Sequence, residues 1–131
     1  MAEDVLRRYP LGRDADAVRT PGGLRLDELT LDDERLTGDE LRATPETLRL
    51  QAEVAEASGR AALAANLRRA AELATVSQEL VLDVYTALRP RRATADGLEG
   101  WARRLETEGA PLTAAFVREA AEVYAARGLL A

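Results

Sequence analysis

The stretch TPETLRLQAEVAEASG at residues 44–59 carries both the start and the stop signals of a helix. Thr44 is a good N-cap, because its hydroxyl can accept a hydrogen bond from a free backbone N–H. Pro45 suits the first helical position, where no N–H is needed. Gly59 suits the left-handed exit that ends many helices. The stretch therefore predicts a helix that runs from Pro45 to Ser58.

Four further helices are predicted between residue 59 and the last residue, each with apolar side chains at helical spacing on one face. The residues that mark their ends are Ser77, Pro90, Thr94, Gly109, Pro111 and Gly128. Many of the apolar positions are alanine, and small side chains let helix axes approach toward the lower end of the ~8–10 Å range. We predict an all-α fold, a compact bundle of about five helices in a domain at residues 38–131.

The first 37 residues have a different composition, with scattered glycine, proline and aspartate and only short leucine clusters. No long helical stripe fits them. We predict that residues 1–37 form an extended, mostly irregular N-terminal arm, which either is loose in isolation or lies along another surface. Thr37 and Glu40 have the spacing of a capping box before Leu41.

The composition excludes several classes of function. The chain has 131 residues, a formal net charge of −5, and neither cysteine nor histidine; its 18 basic residues are all arginine. It therefore lacks the side chains of a catalytic triad, a Schiff base, or a thiolate or imidazole metal site. Carboxylate pairs could still act as acid and base or bind a hard cation. We expect no catalytic, cofactor-binding or metal-binding residue on this chain.

Paired carboxylates such as Glu119 and Glu122 are more simply explained as parts of solvated helix faces. Several lie four residues from an arginine, as Glu122 does from Arg118. Such pairs contribute about 0.2–0.5 kcal/mol each on a helix surface. We therefore predict intrahelical ion pairs rather than a metal site.

Four aromatic residues have core-like spacing and are predicted to be packing residues rather than a ligand box. They are Tyr85, Trp101, Phe116 and Tyr124. Tyr9 differs from these four because it lies in the irregular arm, followed by Pro10 and Leu11, and no predicted helix accounts for it. An anchor in another protein's pocket and a disordered segment are equal alternatives there.

The densest positive patch consists of Arg89, Arg91 and Arg92, which flank Pro90. Guanidinium groups bind phosphates or a partner's carboxylates bidentately. Favourable charge at a helix C-terminus is an alternative explanation. Nucleic-acid binding is the least favoured, because it needs a wider positive stripe with stacking aromatics. The candidate interface residues are Tyr9, Pro10, Leu11, Leu29, Leu31, Arg89, Arg91 and Arg92.

Several runs of sequence resemble the small, or gamma, subunit of adenosylcobalamin-dependent diol and glycerol dehydratases. They are TPETLRLQA at 44–52, RAAEL at 69–73, YxxLRPxR at 85–92 and FVREAA at 116–121, preceded in the same order by YPL at 9–11 and LTL at 29–31. The resemblance covers nearly the whole chain.

The resemblance implies an accessory subunit of an enzyme that converts a 1,2-diol or glycerol into an aldehyde plus water. In that family the large (alpha) subunit binds substrate, adenosylcobalamin lies between the large and medium (beta) subunits, and two heterotrimers pair. The family places no catalytic or cobalamin-contacting residue on the small subunit. We expect the chain to stabilise the large subunit through its arm (Tyr9 to Leu31), one helical face and its arginines. A free-standing helical interaction module is the alternative.

The sequence also bears on location. No apolar run has the length of a transmembrane helix. The first ten residues include four charged ones and no apolar run, so no secretory signal is predicted. We expect a cytoplasmic protein with neither a membrane nor a nucleic-acid partner. Some relatives have a longer N-terminal extension associated with bacterial microcompartments. Because eight residues precede Tyr9 here, the resemblance favours a complex free in the cytoplasm, with a microcompartment as the alternative.

Overall fold

The structure, a computed structural model, describes residues 2–131, and over these residues the fold is all-α, as predicted. The α-helices are α1 (Ala2–Arg7), α2 (Pro45–Ala57), α3 (Ala61–Leu73), α4 (Gln78–Ala87), α5 (Ala95–Thr107) and α6 (Pro111–Arg127). Short 3₁₀ turns at Leu11–Arg13, Leu26–Glu28 and Gly38–Leu41 lie between α1 and α2. The five predicted helices are present, and α1 is an additional one.

The predicted helix ends are confirmed by their capping contacts. The Thr44 side chain accepts a hydrogen bond from the Thr47 N–H at 3.1 Å, and the Thr94 side chain accepts one from the Gly97 N–H at 3.0 Å. The serine before α4 caps its helix in the same way. Gly128 ends α6 with a φ of 66°, a conformation that glycine adopts without a Cβ penalty. Local sequence therefore determines where these helices begin and end.

The helices belong to two compact units. The N-terminal unit ends at Ala74 and contains α1 to α3, and the C-terminal unit is Thr75–Ala131 and contains α4 to α6. In the N-terminal unit α2 packs against both α1 and α3. The predicted boundary between residues 37 and 38 lies inside this unit.

The C-terminal unit has a core of large side chains. Leu98, Leu105 and Val117 are fully buried. Ala102 of α5 and Ala114 of α6 are buried with them, and their small side chains let the two helices approach closely. This core resembles that of an ordinary small helical domain.

The N-terminal unit encloses mainly alanine. Ala52 and Ala55 of α2 and Ala64 of α3 form its buried cluster, and Leu67 is half-buried against them. Val5 of α1 is also buried. Because alanine side chains are small, this cluster removes less apolar area from water than the leucines of the other unit.

The arm is irregular but is ordered by hydrogen bonds. The buried Thr20 hydroxyl donates to the Glu40 carboxylate and accepts the Leu24 N–H at 3.0 Å. The Gly22 N–H also donates to Glu40, at 3.3 Å. The predicted capping box is therefore wrong: Thr37 makes no side-chain cap bond, and the Glu40 carboxylate binds the turn at residues 20–24 rather than the Thr37 N–H.

An arginine of α6 ties that helix to α5. Arg118 binds Glu99 with its Nε at 2.9 Å and Glu106 with its Nη1 at 2.5 Å. These hydrogen bonds hold the pKa of both carboxyls below their ordinary values and raise the pKa of the guanidinium. The predicted intrahelical pair of Arg118 with Glu122 is wrong, since the long side chain reaches across to the neighbouring helix.

Candidate protein interface

An apolar groove of about 530 Å³ lies on the N-terminal unit, between the segment before α2 and the helices α2 and α3. Its apolar lining consists of Tyr9, Leu11, Val18 and Leu26 from that segment and of Leu50, Val54, Leu63 and Leu67 from the two helices. The helical residues are spaced four apart in each helix, which places each pair on one face. The groove is therefore built from two helix faces and the irregular arm.

The groove leaves large apolar side chains in contact with solvent. Tyr9 is 60% exposed and Leu63 is 43% exposed. Clustered exposed apolar side chains of this kind mark surfaces that bind proteins, membranes or ligands. No helix among residues 2–131 is long and apolar enough to cross a membrane.

The structure brings together only some of the arm residues predicted to bind a partner. Tyr9 and Leu11 both line the groove, and the exposed Pro10 connects them. Leu29 is half-buried outside the groove lining. Leu31 is 97% exposed and also lies outside it. Tyr9 and Leu11 were identifiable in the sequence because no predicted helix accounts for these apolar residues.

The three predicted arginines lie on the C-terminal unit, in the turn between α4 and α5. Arg89, Arg91 and Arg92 are all exposed. We call residues 89–92 the arginine turn. It is a second candidate contact surface, described separately from the groove because it belongs to the other unit.

Two of the four aromatic residues predicted to pack in the core are exposed. Tyr85 of α4 and Phe116 of α6 are exposed, whereas Trp101 and Tyr124 are half-buried against the core. The prediction for Tyr85 is wrong because α4 is apolar on two sides. Leu80 lies on the side that packs in the core, and Tyr85 lies on the side that is exposed. A helix with two apolar sides is a sign of a second contact surface.

Neither surface has the donor set of a catalytic or metal centre. Within the described part of the chain, no three side chains of the metal-ligating types lie close enough to hold a metal ion. The groove is lined mainly by aliphatic side chains, and Arg60 is the charged member of its lining. An exposed apolar groove and an exposed cationic turn are together typical of a chain that binds other proteins.

Comparisons with known proteins agree with that class. A family model described as dehydratase small subunit matches residues 5–131. The chain is 46% identical over 124 residues to the propanediol dehydratase small subunit of Citrobacter freundii and 44% identical over 124 residues to that of Salmonella typhimurium. Each alignment covers 91% of this chain and 72% of the relative. The chain belongs to the dehydratase small subunit family.

Proposed function

We propose that this chain is the small (gamma) subunit of an adenosylcobalamin-dependent diol dehydratase. That enzyme converts a 1,2-diol, or glycerol, into an aldehyde plus water. The family match over residues 5–131 and the two propanediol dehydratase relatives support this assignment. The complex is a dimer of heterotrimers, with the large (alpha) and medium (beta) subunits as partners.

The chain itself is an accessory, non-catalytic subunit. It has no histidine, cysteine or lysine to activate a nucleophile or accept a proton near neutral pH. The groove does not fit a corrinoid cofactor, because the amide side chains of such a ring need many hydrogen-bond partners and the lining is mainly aliphatic. The family resemblance implies that adenosylcobalamin and substrate are bound by the other subunits, and no chemical step is assigned to this chain.

The contribution of the chain is contact area for the large subunit. The observation that carries this proposal is the groove, in which Tyr9 and Leu63 remain exposed on a folded unit. Covering them would contribute about 25 cal/mol for each Å² of apolar surface removed from water. The exposed Leu31 of the arm, which lies outside the groove, is a further candidate contact. We place the complex in the cytoplasm, either free or within a microcompartment.

Coexpression with the large and medium subunits tests the proposal. We expect all three chains to copurify and to convert propane-1,2-diol into its aldehyde when adenosylcobalamin is added. Y9A and L63A should each weaken retention of the small subunit by about tenfold, since both remove side chains that the partner would cover. L41A is the matched control, because Leu41 is exposed but lies outside the groove.

Retention of Y9A and L63A at the level of the unmodified chain would overturn the groove as the contact surface. A small subunit that stays alone when both partners are supplied would support the free-standing interaction module instead. Parallel assays with glycerol decide which substrate the assembled enzyme prefers.

A further inference from the structure

Arg91 has a left-handed backbone conformation although it is not glycine. Its φ is 61°, which is unfavourable for a residue with a Cβ. The C-terminal residues hold it there: the Arg91 N–H donates to the Leu129 carbonyl at 2.7 Å. Tyr124 and Ala131 donate to the carbonyls just before and just after the turn, at 2.5 and 2.9 Å. The end of the chain thus fixes the backbone of the arginine turn on both sides.

The arginines of this turn have no carboxylate partner among the residues that the structure describes. Arg89, Arg91 and Arg92 form no ion pair with any of residues 2–131, although the sequence has 23 acidic residues. Arg118, by contrast, binds two carboxylates. Strained backbone is found most often at functional sites. The Arg91 guanidinium is exposed and available to a ligand outside this chain.

Exposed apolar side chains lie directly beside this charge. Leu82 is 58% exposed and Tyr85 is 60% exposed, three residues apart on one side of α4. Arg89 follows Tyr85 by four residues and begins the turn. Tyrosine and arginine are the residue types enriched at the energetic centres of protein interfaces. The α4 side and the arginine turn therefore have the composition of a single contact surface.

We propose that Leu82, Tyr85 and the arginine turn form a docking surface for an acidic segment of a partner subunit, one that carries an apolar residue beside its carboxylates. This proposal rests on the proposed function, which makes the chain one subunit of a larger enzyme. The guanidiniums bind the carboxylates bidentately, and Tyr85 and Leu82 cover the apolar residue. The complementary charge selects an acidic partner.

A protein partner fits this surface better than a nucleic acid. The chain has a net charge of −5, which repels a polyanion at long range. Its cationic patch spans four residues, and Tyr85 is the exposed aromatic residue next to it. Nucleic-acid binding requires a longer basic stripe that follows many phosphates. A short acidic peptide segment requires only a patch of this size.

Binding of the purified chain to the large and medium subunits, measured by calorimetry, tests the surface. We expect R89E/R92E to weaken binding about 100-fold at about 50 mM sodium chloride and to flatten its dependence on salt. Y85A should weaken binding about tenfold and leave the salt dependence unchanged, because it removes apolar contact only. R104E, a single charge reversal on exposed α5 surface, is the control and should change the affinity less than twofold. Circular dichroism checks that each variant keeps its helices.

The outcomes separate this proposal from the proposed function. If the unmodified chain binds the two subunits and R89E/R92E and Y85A bind equally well, the docking surface is wrong and the proposed function stands. Failure of the unmodified chain to bind overturns both. Binding of single-stranded polyuridylate, or self-association of the chain, that R89E/R92E abolishes would assign the surface to another partner and overturn the proposal.

Discussion

The two units of the molecule differ in the size of the side chains that their helices bury. The C-terminal unit encloses Leu98, Leu105 and Val117 completely. The N-terminal unit encloses alanines and leaves Tyr9 and Leu63 open to solvent at the groove. The C-terminal unit therefore has the larger buried side chains, although Leu82 and Tyr85 of α4 are exposed on its surface.

The energetic consequence follows from side-chain size. Burying a leucine side chain contributes about 1.5–3 kcal/mol relative to leaving it exposed. An alanine has a single methyl group and contributes much less. The buried alanine cluster of α2 and α3 thus contributes less packing energy than the leucine and valine core of the other unit.

The largest expected effect is on the free energy of unfolding, and a comparison of one leucine from each unit reveals it. L105A should lower the free energy of unfolding by about 2–5 kcal/mol, because it leaves a cavity in a fully buried core. L63A should lower it by less than about 1 kcal/mol, because Leu63 is already half in water. Urea unfolding followed by circular dichroism and by Trp101 fluorescence measures both. Equal losses for the two variants would contradict the contrast between the units.

The helical part of this fold could be predicted from the sequence because its signals are local. Thr44 and Thr94 cap the helices that follow them, and Pro111 and Gly128 bound α6. A cap depends on residues three or four positions away, which the sequence displays directly. The positions of the helix ends were therefore available without knowledge of the packing.

The polar contacts could not be predicted, because they join residues far apart in the chain. Glu40 binds Thr20 and Arg118 binds Glu99, whereas local spacing had assigned both to near neighbours. Spacing also could not decide which apolar side of α4 is buried, so Tyr85 was assigned to the core. Sequence reasoning identified Tyr9 as a residue that its own helix does not explain, and Tyr9 lines the groove, whereas the core prediction for the exposed Tyr85 is wrong.

A smaller effect on the free energy of unfolding is expected at Arg91, where the backbone of the C-terminal unit is strained. R91G should raise the free energy of unfolding by about 1 kcal/mol, because glycine adopts a φ of 61° without the Cβ penalty. R92G is the control and should lower it by up to about 1 kcal/mol, since a glycine there only adds freedom to the unfolded chain. Thermal and urea unfolding measure the two changes. A loss of stability in R91G would show that the turn is not strained, and would remove one support of the docking surface.

The smallest effect concerns the ion pairs that join α5 to α6 in the C-terminal unit. The pKa values of Glu99 and Glu106 lie below their ordinary value of 4.5 in the folded chain, chiefly through hydrogen bonds from Arg118. A lowered folded-state pKa contributes stability that is complete above the ordinary value and is lost as the pH falls through the lowered one. Between about pH 6 and about pH 3 the unmodified chain should therefore lose more unfolding free energy than R118Q, while R104Q should follow the unmodified chain. The change is small because exposed ion pairs are screened by water. Urea midpoints measured across this pH range check the prediction. If the stability of the unmodified chain and that of R118Q fall equally with pH, the contacts of Arg118 with α5 add nothing to the stability that the packing of Leu98, Leu105 and Val117 provides.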